Sequence, residues 1–199
     1  MEPRVSCGMM MTMKEVDRMV FAEKTIFLKD GRRAVLRSPL SSDTEQLVKY
    51  MKQSAGETEF LLRYPEECLE TVEEEATFVE RTASSDDRLM IVCFVDGKIA
   101  GNCMISFNNR IKTRHRAELA IGILREYWRL GIGSAMFEEL IRVAKKRGVL
   151  QLELDYIEGN ARAKSLYEKM GFHEVGVKPD AIRLKNGTML DEISMLKKL

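Results

Sequence analysis

Two segments hold residue types at spacings that could do chemistry. The first is Ile121-Gly-Ile-Leu-Arg-Glu-Tyr-Trp-Arg-Leu-Gly-Ile-Gly-Ser134. An apolar run with strand character feeds a turn holding Gly131 and Gly133, and a long amphipathic stretch follows. Glycines at such a turn leave backbone N–H groups unshielded, and a helix N-terminus adds partial positive charge. Leu130, Gly131, Ile132, Gly133 and Ser134 therefore form a candidate anion site suited to a pyrophosphate, and Arg129 adds a direct cation. On these residues alone, an ordinary strand–helix turn without a ligand stays open. The segment is not a P-loop, because no Lys-Ser/Thr pair follows the glycines, and it lacks the third glycine of a dinucleotide fingerprint.

The second segment is Asn160-Ala-Arg-Ala-Lys-Ser-Leu-Tyr-Glu-Lys-Met-Gly-Phe172. Asn160 suits a helix N-cap and Gly171 a C-cap. Tyr167 lies two turns after Asn160, so the two share a helix face.

In this order and spacing the segments resemble the GNAT superfamily of acyl-CoA-dependent N-acetyltransferases. The resemblance rests on Ile121-Gly122-Ile123, on Gly131-Ile132-Gly133 and on Asn160…Tyr167…Gly171-Phe172, and it covers roughly Arg32–Leu199. It implies one α/β (α+β) domain: a mixed, mostly antiparallel twisted sheet with a central splayed parallel strand pair, flanked by about four helices. It implies acetyl-CoA as cosubstrate, no metal, and direct transfer to a primary amine of a small molecule or peptide. Backbone groups of Ile121 and Ile123 would pair with pantetheine, Asn160 would contact the arm, and Lys164 would approach the phosphates. Tyr167 would be the general acid near the sulfur. Glu118 takes the place of the glutamate base of the histone-acetyltransferase branch. For both residues a plainer reading stands beside this one. Glu118 could pair with Arg114 or Arg116 on a wet face, and Tyr167 could pack between Leu166 and Met170. The chain departs from the family at one point: Trp128 stands where a Gln or Arg is usual, a loss for which Arg129 could compensate. Two rivals remain: a catalytically silent acyl-CoA-binding module, and an enzyme using a different nucleotide.

The superfamily builds its acceptor site from the first two helices, their connection and the last two strands. From Glu57 to Glu80 this chain holds nine glutamates and one cation, Arg63. A field of that sign would favour a cationic acceptor such as a polyamine, an aminoglycoside or a basic N-terminus. A solvated helix face is the alternative.

The elements that must position these residues follow from turn signals and periodicity. Strands are expected at 24–29 and 32–37 about Asp30-Gly31, at 88–95 and 98–108 about Asp96-Gly97, and at 115–124, 150–157, 172–178 and 188–196. Helices are expected from Ser41-Ser42-Asp43 to about Ala55, at 58–64, 71–83, 131–147 and 161–170. Along 117–123, Glu118, Ala120 and Gly122 alternate with Ala117, Leu119, Ile121 and Ile123.

Composition bounds the rest. The 199 residues hold 32 Lys+Arg against 31 Asp+Glu, a net charge of +1 that gives no basic excess for nucleic acid. No run approaches 18 apolar residues, so no membrane span is expected. The four cysteines form no CxxC pair and there are two histidines, which argues against a zinc site or a disulfide framework. A cytoplasmic monomer or homodimer is expected, with residues 1–22 a Met-rich tail or short helix and 23–199 the acetyltransferase domain.

Overall fold

The computed structural model describes residues 19–199; most of the N-terminal segment read as a tail or short helix lies outside them. The chain runs β1 (Lys24–Phe27), β2 (Arg33–Arg37), α1 (Thr44–Glu57), α2 (Val72–Ser84), β3 (Arg88–Val95), β4 (Lys98–Phe107) and β5 (Arg116–Ile123). It continues with α3 (Ile132–Lys146), β6 (Gln151–Ile157), α4 (Ala161–Lys169), β7 (His173–Arg183) and β8 (Met189–Lys198). The described strands form one open sheet in the order β1-β2-β3-β4-β5-β6-β8-β7. Every pairing is antiparallel except β5 with β6. The sheet is therefore mixed and mostly antiparallel, with its parallel pair near the middle.

Local chemistry explains the helices. In α2, Glu74 N–H donates to Thr71 Oγ1 at 3.2 Å and Thr71 N–H donates to Glu74 Oε2 at 2.9 Å, a closed capping box. In α1, Leu47, Tyr50 and Ser54 fall on one buried face. In α3, Ile132, Met136, Phe137, Leu140 and Ala144 are buried at helical spacing, while Lys145 and Lys146 complement the C-terminal end of the dipole. Met136, Phe137 and Leu140 are fully covered, and they anchor the core beneath β4 and β5.

Two expectations need correction. Residues 58–64 form no helix; the segment bends and leads into a short 3-10 turn at Pro65–Glu67. Seven residues are too few to repay helix nucleation, and Phe60, Leu61 and Leu62 are contiguous rather than helically spaced. The strand expected to stop at Lys178 runs to Arg183. It passes Pro179 through register shifts between Lys178 and Ile182, which an edge strand tolerates because its outer N–H groups need no partner.

Which helices cover which face follows from two glycines. A Cβ on Gly122 would lie 2.8 Å from the Tyr50 hydroxyl, so this position faces α1. A Cβ on Gly133, in α3, would lie 2.8 Å from Leu166 of α4 and 3.4 Å from the Ile123 side chain. Ile123 thus faces α3 and α4. By alternation, Glu118 and Ala120 look toward α1, and Leu119 and Ile121 toward α3 and α4. The parallel register Glu118↔Glu153 places Glu153 and Asp155 on the α1 face as well.

Candidate active site

The strands β5 and β6 pair only over Arg116–Glu118 and Gln151–Glu153. Beyond that they splay. Leu124 N–H donates to Ala100 O across β4, so Gly122 and Leu124 direct their backbone groups toward β4. Ile121 and Ile123 direct theirs into the gap. The Tyr50 hydroxyl, 2.9 Å from both Gly122 O and Asn102 Oδ1, braces this strand from the α1 side. Burial pushes the pKa of that hydroxyl up, so it stays protonated.

A cavity of 480 Å³ occupies the gap and passes through the sheet. On the α3–α4 side it is lined by Ile121, Ile123, Arg129, Gly131, Ile132, Gly133, Ser134, Asn160 and Tyr167. The structure brings these nine sequence-selected residues together. Gly131 caps α3 with φ +96°, a left-handed conformation that disfavours any side chain. No side chain caps that end of α3, leaving the first-turn N–H groups of Ile132, Gly133 and Ser134 without intrahelical partners. Arg129 precedes them at φ +63°, a strained position for a non-glycine residue.

Four further residues of this half were not selected from the sequence. Lys29, Trp128, Arg162 and Lys169 line the same wall. Trp128 Nε1–H donates to Ile123 O at 2.7 Å, and the Arg162 guanidinium stacks 3.2 Å from the centroid of the indole ring. Burial lowers the pKa of Arg162, and the charges of Arg129 and Arg125 lower it further. Arg129 and Arg162 both line this mouth, with Arg125 close behind them. Lys169 Nζ donates to Ser134 Oγ at 3.0 Å. A signal for α4 was present: Arg162 and Lys169 are seven residues apart, the same spacing as Asn160 and Tyr167.

Tyr167 is buried among Phe137, Tyr156 and Phe172, with ring centroids 5.5, 6.3 and 6.4 Å away. Burial pushes its phenol up to about 12. Asn160 Oδ1 accepts from Ala163 N–H at 3.1 Å as the α4 cap, which leaves its amide N–H groups for the cavity.

Three selected residues do not line this cavity. Leu130 packs on the core, and its carbonyl accepts from Lys29 N–H at 3.0 Å. Lys164 pairs with Glu174 at 2.7 Å, which raises its pKa. Glu118 lines a second cavity of 420 Å³ on the α1 face, together with Arg116 and Glu153, which pair at 3.2 Å. Asp155 lines both cavities. Its carboxylate accepts from Ser194 Oγ at 2.6 Å and lies 3.8 Å from Lys178. Among the described residues, no cluster of His, Cys, Asp and Glu could hold a metal ion, and no helix is long and apolar enough to cross a membrane.

The model of the acetyltransferase (GNAT) family matches residues 51–172. The chain belongs to the GNAT family. It is 29% identical over 172 residues to an N-alpha-acetyltransferase of Sulfurisphaera tokodaii, covering 80% of this chain and 89% of that one. It is 41% identical over 58 residues to the ribosomal protein bS18-alanine N-acetyltransferase of Escherichia coli K12, a match spanning 29% of this chain and only 39% of that relative. Among solved structures, a GNAT acetyltransferase from Streptococcus pneumoniae is 32% identical with a TM-score of 0.78, covering 83% of this chain and 99% of that one. A phosphinothricin acetyltransferase from Sinorhizobium meliloti, solved with acetyl-CoA, has the same fold at 21% identity and a TM-score of 0.71, covering 83% and 88%. The relatives of this GNAT chain include named N-acetyltransferases.

Proposed function

We propose that this enzyme transfers acetyl from acetyl-CoA directly to a primary amine of a small molecule or peptide, both substrates being bound together. The carrying observation is the cavity that crosses the sheet at the splay, with an anion-binding mouth on one face and a carboxylate, Asp155, on the other. Two relatives are named for N-alpha- and alanine acetylation, which favours an α-amine as the acceptor.

Acetyl-CoA supplies the activated acetyl group as a thioester. The free N–H groups of Ile132, Gly133 and Ser134 bind the diphosphate, helped by Arg129, Arg162 and Lys169. Arg162 takes over from the basic side chain that the loop lacks at Trp128, and the indole holds it there. Ile121 offers its N–H and C=O to the extended arm. Ile123 offers only its N–H, because Trp128 holds its carbonyl. The Ile121 N–H polarises the thioester carbonyl.

The amine must lose a proton as it attacks. Asp155, on the α1 face of the gap, accepts it; Glu118 lies further along that face in the adjoining cavity. Tyr167, neutral up to about pH 12, donates a proton to the departing thiolate. Among the described residues no cysteine lines the cavity, which disfavours a covalent acyl-cysteine route; Cys93 and Cys103 are also buried, and burial pushes both thiols up. Incubation with acetyl-CoA and amino acids or short peptides should release CoA thiol and give an acceptor heavier by one acetyl group. Acetyl-CoA binding without transfer to any amine would overturn this reading.

A further inference from the structure

The charge of the 57–80 segment and the lining of the cavity point to different acceptors, and the contacts of the nine glutamates decide between them. Glu66 pairs with Lys185, and Glu70 with Arg63. Glu67 accepts from Tyr64 N–H at 2.7 Å, and Glu74 closes the α2 cap. Glu80 accepts from Ser41 Oγ at 3.3 Å, and Glu75 is buried on α2. Glu59 and Glu73 are exposed and line neither cavity. Only Glu57 reaches the cavity, and its carboxylate already accepts from Arg125 N–H at 2.6 Å. Of the nine glutamates the segment thus brings the acceptor a single carboxylate, itself hydrogen-bonded.

The acceptor wall itself is apolar. Phe60, Leu61 and Leu62 line the cavity on the α1 side, opposite Ala120. The segment is fixed across the opening at three places. Phe60 lies 3.5 Å from where a Gly159 Cβ would stand, on the far rim. Arg125 holds Glu57 at its start. Lys185 N–H donates to Tyr64 Oη at 3.0 Å, which ties it to the β7–β8 turn. Leu62 nonetheless remains 73% exposed, and adjacent apolar side chains left open beside a cavity mark a binding surface.

We infer that the acceptor bears an uncharged apolar side chain beside its amine. The amine sits at Asp155, and the side chain lies against Phe60, Leu61 and Leu62. Polyamines, aminoglycosides and lysine-rich N-termini are then poor substrates, because their remaining cations would face this wall without partners. This inference rests on the acetyltransferase reading above.

The test is kcat/KM by thiol release for acceptors that differ only beside the α-amine: the amides of leucine, phenylalanine, lysine and glutamate, with spermidine alongside. Leucine or phenylalanine amide should exceed lysine amide and spermidine by about tenfold or more, the scale on which an apolar pocket discriminates. Leu61→Asp should reverse that order while acetyl-CoA affinity stays unchanged, which also shows that the variant is folded. Turnover with lysine amide or spermidine preferred would overturn the inference alone. So would a Leu61→Asp variant that slows all acceptors equally. Absence of turnover with every acceptor, with acetyl-CoA still bound, would overturn the transfer reading and this inference with it.

Discussion

Tyr167 stands two turns after Asn160 on α4, with its ring in the core and its edge in the cavity. Burial pushes its phenol up to about 12, so it stays neutral and holds an O–H ready to donate to the sulfur as negative charge develops there. Tyr167→Phe keeps the packing and removes the proton; kcat should fall about 100-fold, with acetyl-CoA affinity unchanged by titration calorimetry. The two carboxylates divide in a similar way. Asp155→Asn should lower both kcat and kcat/KM by a comparable factor. Glu118→Gln should leave both nearly intact, since Glu118 lines only the adjoining cavity. The reverse result would return the base to Glu118. The sequence made Glu118 visible because strand alternation and family position both single it out. Asp155 was hidden because its role depends on the splay, which places it on the shared wall through the register Glu118↔Glu153. No local pattern encodes that register.

At the level of elements, the proposed phosphate loop and α4 line one mouth. The glycines were legible because their reasons are local: Gly131 needs a positive φ, and Gly133 lies under Leu166. The pairing of Trp128 with Arg162 was not legible, because it joins side chains 34 positions apart across the mouth. Trp128 is the single tryptophan of the chain, so its fluorescence reports on this mouth alone. Acetyl-CoA should change that emission, and the titration gives a Kd. Arg162→Ala should raise this Kd about tenfold, the value of one charge-assisted contact. An unchanged Kd would remove Arg162 from the phosphate site. Arg129→Gly separates strain from charge: relief of the left-handed backbone should stabilise the fold by about 1 kcal/mol in urea unfolding, while acetyl-CoA binds less tightly. The strands at 88–95 and 150–157 were readable from apolar runs between turns, whereas 58–64 was not, because its conformation is set by distant anchors at Gly159, Arg125 and Lys185.

Across the whole molecule, near-neutral charge hides a division of labour. Cations gather at the mouth on the α3–α4 face, while the acidic segment lies on the α1 side with only Glu57 of its glutamates at the cavity. Burial also leaves a mark on stability. Tyr156 and Tyr167 are each pushed up to about 12, above the ordinary value near 10 of an unfolded tyrosine. Their folded forms therefore hold protons that the unfolded chain releases. The contribution is fully present below about pH 10 and is lost as pH rises toward 12, so the urea midpoint should fall steeply over that interval. The proposed direct transfer draws on a cavity lined from both faces of the sheet, which would give each substrate its own entrance. Initial rates of thiol release, with amine varied at several fixed acetyl-CoA concentrations, test this most directly. Double-reciprocal lines that intersect are predicted, as a ternary complex requires; parallel lines would show an acyl-enzyme and contradict direct transfer.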